Sequence, residues 1–162
     1  VKLMQLSATF DPEKKYRYLL TREWDVTLPK LLYIMLNPST ADEVSEDQTS
    51  RQCLYFANKF QYGSFEVVNL YSLISTDPKG LKQSLVDPIG HKTDQYIIEA
   101  SLRANRVIIA WGEKHFFNQR DKQVIEMLRS KDINLYCLKM AKSGHPRHPS
   151  RLAHDIEDLI LF

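Results

Sequence analysis

Four clusters hold the residues of this chain that could do chemistry, and each sits at the end of an apolar run. The first is Asn37-Pro38-Ser39-Thr40-Ala41-Asp42, after Leu31–Leu36. The second is Asn69, near the end of Phe65–Leu70, and the third is the pair Trp111-Gly112, closing the run from Arg106. The fourth is a loop over 139–151 that carries Lys139, Lys142, Arg147 and Arg151 with His145 and His148, and no acidic residue. Carboxamides pair with hydrogen-bonding edges, and imidazoles exchange protons near neutral pH. Lys and Arg neutralise phosphate. Asn37 cannot remove a proton at neutral pH. Asp42, five residues on, is the carboxylate placed to act as general base in its stead.

Each cluster also has a plainer reading. Asn-Pro is a common turn, Asn69 could be a hydrogen-bonded strand end, and Trp111 could be core. Paired His-Pro steps make rigid turns, and a basic loop can simply be solvated. What favours chemistry is placement, because the elements before the clusters bring all four to one rim.

Leu31–Leu36 reads as a strand buried on both faces, stopped by Pro38, which has no N–H for a ladder. Residues 5–10 and 16–22 read as a leading hairpin across 11–15, on a partly exposed edge. A helix is predicted over 48–61, with Cys53, Phe56, Ala57 and Phe60 on one stripe, Asp47 as its cap and Gly63 past its end. Strands over 65–70, 106–112 and 133–138 alternate with helices over 91–104 and 114–130, and a closing helix begins at Leu152. This alternation predicts right-handed crossovers and an α/β chain, a three-layer α/β/α arrangement around a central four-stranded, mainly parallel sheet. All four strands then end on the same side, where ligands bind in such sheets.

The 162 residues suit one domain over 1–162, with 1–24 as an N-terminal hairpin extension. Hydrophobic residues at 43% and charged residues at 26% are those of a globular chain, and no apolar run approaches a membrane span. Two distant cysteines, Cys53 and Cys137, fit a reducing cytoplasm and exclude the usual zinc-finger and iron–sulfur patterns. No cofactor or metal is expected, because the acidic run Asp42, Glu43, Glu46, Asp47 lacks a ligand-spacing signature. A net charge of +2 does not by itself mark a nucleic-acid binder.

Met35-Leu-Asn-Pro-Ser39, Val67-Val-Asn-Leu70, Val107-Ile-Ile-Ala-Trp-Gly112 and His148-Pro-Ser-Arg-Leu152, in that order and at strand ends, resemble the uracil-DNA glycosylase superfamily. The resemblance spans roughly residues 31–155 as short motifs rather than continuous identity. It implies that Asn37, with Pro38 and Ser39 in its turn, positions a water, that Asn69 pairs with a pyrimidine edge, and that Trp111-Gly112 line the base site. It further implies that His148 hydrogen-bonds the departing base anion, Ser150 holds a phosphate and Leu152 wedges into the DNA stack. Lys142, His145, Arg147 and Arg151 would meet phosphates. Met35 departs from the superfamily pattern, which has Gly there, and Ser39 with the acidic run replaces a segment that supplies a stacking aromatic. The phrases NPSTAD, DPIG, AWG and PRHP look like those of an uncharacterised bacterial and phage family.

These features imply a nucleobase-recognising protein that cleaves the N-glycosidic bond of a modified pyrimidine in DNA or a nucleotide. The alternatives are a non-catalytic nucleotide- or DNA-binding module, and a phage or host regulator that uses the same fold as a scaffold. The expected partner is nucleic acid or a nucleotide, with no membrane; a monomer is favoured.

Overall fold

The computed structural model describes residues 4–39 and 47–162. Its central strand is β3 (Lys30–Met35), in which Leu31 to Met35 are all buried. Leu32 and Ile34 enter one core and Leu31, Tyr33 and Met35 the other. With neither face of the strand in water, the run carries no polar alternation. Strands β4 (Ser64–Asn69) and β5 (Arg106–Ile109) flank β3 in parallel, and β6 (Leu135–Cys137) lies parallel to β5. Helix α1 (Gln48–Lys59) packs on the Leu31–Tyr33–Met35 face. Helices α2 (Thr93–Arg103) and α3 (Arg120–Arg129) pack on the opposite one.

The α/β expectation holds, but the sheet has seven strands rather than four. The leading hairpin, β1 (Gln5–Phe10) and β2 (Arg17–Glu23), is part of it: β2 pairs antiparallel with β4, Leu20 opposite Val67. A short β7 (Ile160–Leu161) pairs antiparallel with β6. All of β4 is buried, so its outer N–H and C=O groups need a partner strand, and the hairpin supplies it.

Asp47 caps α1 as expected, its Oδ1 accepting from Ser50 N at 2.7 Å. Gly63, just beyond, is required by crowding: a Cβ there would lie 1.9 Å from the Asp25 carbonyl oxygen. Two predicted helices differ from the structure. The helix expected over 114–130 begins only at Arg120. Tyr71 stacks on Phe117, and its hydroxyl accepts from Phe117 N and donates to Phe117 O, so residues before Arg120 follow Tyr71 instead of a helix ladder. The closing helix from Leu152 does not form. Side chains of α1 strap the segment instead: Gln52 donates to Pro149 O and Leu152 O, and Lys59 donates to His154 O.

Arg120 ties the carboxyl end of the sheet to the helices. It is 2% exposed. Its Nε donates to Leu70 O, and its remaining nitrogens to Asp94 and Gln123. At the opposite end, Arg103 holds the buried Glu66 carboxylate through both oxygens.

Candidate functional site

The four parallel strands run in the order β4-β3-β5-β6. The chain leaves β3 toward β4 and leaves β5 toward β6, in opposite directions. The gap beyond the carboxyl ends of β3 and β5 is therefore the topological switch point, where open α/β sheets bind ligands. A cleft of about 560 Å³ lies there. Leu36 and Asn37 bring the end of β3 to it, and Trp111 and Gly112 the end of β5. A smaller cavity of about 160 Å³ adjoins it, sharing Asn37, Pro78 and His148 as a common wall.

Backbone chemistry fixes each wall. Asn37 Nδ2 donates to Pro38 O at 3.0 Å and Ser75 O at 2.9 Å, and Ser75 N donates back to Pro38 O. The amide nitrogen is thereby occupied. Gly112 sits at φ +86°, a left-handed conformation that costs other residues about 1–2 kcal/mol. Its N–H donates to Pro146 O, which seats the 146–148 segment against the end of β5. The basic loop folds back on itself, with Arg147 N bonded to Lys139 O and Ala141 N to His145 O.

His148 has a defined tautomer. Ser150 N–H donates to Nδ1 at 3.2 Å, and Ser150 Oγ lies 2.8 Å from the same atom. A backbone N–H can only donate, so Nδ1 is the acceptor and the ring proton sits on Nε2. Burial pushes the ring's pKa down to about 4, against a smaller upward pull from Asp47. At neutral pH His148 is therefore an uncharged donor on the shared wall. Asp47 is the carboxylate of the small cavity. Burial pushes its pKa up, but the Ser50 and Ser39 hydrogen bonds and the Arg17 charge outweigh this and hold it below its ordinary value.

The predicted residues divide into three groups. Asn37, Trp111, Gly112, Arg147, His148, Ser150 and Arg151 line the large cleft, and Ser39 the small cavity. Pro38 is buried behind them, its carbonyl holding Asn37 and Ser75. Asn69 is 2% exposed, and both its polar atoms lack a hydrogen-bond partner. It lies opposite Met35, in the sheet just behind the small cavity rather than in its lining. Asp42, the expected general base, falls outside the described residues.

The third group lies away from the cleft. Leu152 is 5% exposed and packed in the α1-side core, so it is not a surface wedge. Lys142 is exposed near the turn of the folded loop. His145 turns from the cleft to Ser143, Asp121 and the Phe116 ring. Sequence reasoning missed Arg17, Asp47 as a cavity wall, and the Pro78 and Lys114–His115 contributions. Arg17 was hidden because β2 read as an edge strand, and 114–115 because they read as helix.

Among the described residues, no group of three or more His, Cys, Asp or Glu side chains could hold a metal ion. No helix among them is long and apolar enough to cross a membrane. No curated protein and no solved structure matches the chain. Residues 17–150 match a family described as protein of unknown function (DUF1643), a span that takes in β2, both sides of the cleft and His148. The chain belongs to the DUF1643 family.

Proposed function

We propose that this protein recognises a pyrimidine base and hydrolyses its N-glycosidic bond, using a uracil-DNA glycosylase-like arrangement of strand ends. The observation that carries this reading is His148: an uncharged imidazole with its proton on Nε2, at the wall between a ring-sized polar cavity and a larger cationic cleft. The reaction adds water to C1′ and breaks the C1′–N bond, whose electron pair leaves with the base as an anion. The anion then takes up a proton, and the water loses one. A donor aimed at the forming anion lowers the barrier, by about 3 kcal/mol for a single such bond. A neutral donor gives that bond without placing a permanent cation in a buried site. Asn37 Oδ1, on the wall shared by both spaces, holds the water. The basic side of the large cleft takes the phosphate.

Base release from DNA and nucleotides carrying uracil, hydroxymethyluracil or ethenocytosine tests the reading. Free base is expected, with a rate that falls by about 100-fold in His148→Ala. An absence of free base from every substrate overturns catalysis. One observation favours a second reading, a non-catalytic nucleotide-binding module: the Asn37 amide nitrogen is already bonded to Ser75 and Pro38, as a fixed binding wall would be.

A further inference from the structure

Resting on the reading above, we infer that the substrate is a free pyrimidine nucleotide rather than a base extruded from duplex DNA. Drawing a base out of a duplex costs a few kcal/mol, and an apolar side chain wedged between base steps is a frequent means of offsetting the lost stacking. Leu152, the residue at the wedge position, is locked in the α1-side core. Among the described residues, none of the large apolar side chains that are more than a third exposed lines the cleft.

The charges point the same way. A duplex presents phosphates along a tract and calls for a basic stripe. Here Lys114, Arg147 and Arg151 line the same 560 Å³ cleft, while Lys142 and His145 lie off it. Glu113 stands on the same lining, and its carboxylate accepts the Ser143 hydroxyl. Three cations around one cavity, with a carboxylate at its margin, suit a single phosphate group. The volumes fit a mononucleotide: about 160 Å³ with Asn37, Ser50, Asp47 and Arg17 around a Met35–Leu20 floor for the ring, and about 560 Å³ for sugar and phosphate. His148 and Asn37, shared by both spaces, then fall at the bond between base and sugar.

The test measures binding of deoxyuridine, deoxycytidine and thymidine 5′-monophosphates, the matching nucleosides, and a duplex with one G·U mismatch. At least one monophosphate is expected to bind tenfold or more tightly than both its nucleoside and the duplex. Inorganic phosphate should compete with the monophosphate and leave the nucleoside unaffected, which checks the phosphate site without a variant. Arg151→Gly, at an exposed left-handed position where glycine is unstrained, should erase most of the monophosphate advantage. Tight duplex binding with base release, and no competition from monophosphates, overturns the free-nucleotide inference and leaves glycosidic chemistry standing. Failure of nucleoside, monophosphate and duplex alike to bind overturns both.

Discussion

Acid should destabilise this protein through one ring, and the size of the effect follows from where that ring is held. His148 has an ordinary pKa of 6.5 in the unfolded chain and about 4 in the folded one. Between those values the unfolded chain binds a proton that the folded chain refuses, so stability falls as pH falls. Each pH unit inside the window is worth about 1.4 kcal/mol. From pH 7 to pH 4.5 the ring alone removes about 2 kcal/mol, and nearly all of the loss lies below the unfolded value. Asp47 does not confuse the reading: its folded pKa is depressed, so its contribution is present above its unfolded value of 3.8 and disappears only on further acidification. The perturbation is His148→Gln, which removes the titrating group. It also loses the Ser150 hydrogen bonds, a loss of about 1 kcal/mol that is the same at both pH values. Urea unfolding of both chains at pH 7 and pH 4.5 isolates the ring, because the other four histidines are common to both. The wild type should lose about 2 kcal/mol more than the variant on acidification. Parallel losses would refute the buried neutral imidazole, and with it the Nε2–H donor at the cleft wall.

Other substitutions separate architecture from site. Gly112→Ala should lower stability by about 1–2 kcal/mol from backbone strain alone, since its Cβ would meet His148 Cβ at an ordinary 3.6 Å; thermal melting reads it. Arg120→Met leaves the buried Leu70 carbonyl without its partner and should cost about 1–3 kcal/mol by urea titration, with little added by the half-exposed Asp94. Asp47→Ala loses the α1 cap and about 1 kcal/mol, whereas Asp47→Asn keeps the cap and should instead lower the His148 pKa further, as read by NMR titration of the ring. Asn69→Leu should raise stability, measured by melting, because it replaces two unpartnered polar atoms in a buried position.

The parts legible in sequence were those where local pattern and tertiary burial agree. Leu31–Leu36 is apolar throughout because both its faces are covered, and Asp47 sits where a cap must. Asn37, Trp111-Gly112 and His148 reach one cleft because parallel strands end on one side, which follows from alternation alone. What was not legible depends on side chains capturing backbone from far away. Nothing local to 114–119 says that Tyr71 will take both polar groups of Phe117, and nothing near Leu152 says that Gln52 and Lys59 will take the carbonyls of the closing segment. Leu152 follows from the same cause: the strapped segment turns it inward. Arg17 entered the site because β2 pairs with β4, a long-range choice made by the unsatisfied edge of a buried strand.

The placement of unpartnered polar atoms carries the functional argument one step further. A buried donor or acceptor with no partner costs about 1–3 kcal/mol, so a fold under selection for stability alone would replace it with an apolar group. Asn69 holds two such atoms at the last position of β4, and Trp111 holds one, Nε1, at the end of β5. Both stand at carboxyl ends of the sheet, on either side of the switch point, and Trp111 lines the large cleft. A structural role for Asn69 would show as hydrogen bonds to neighbours, and it has none. Either a buried water or a ligand in the adjoining cavity would supply the partners its amide lacks. Asn69→Leu decides the point with two measurements on one chain: a more stable protein that no longer binds nucleotide assigns the amide to the ligand, and a more stable protein that binds undiminished removes Asn69 from the site.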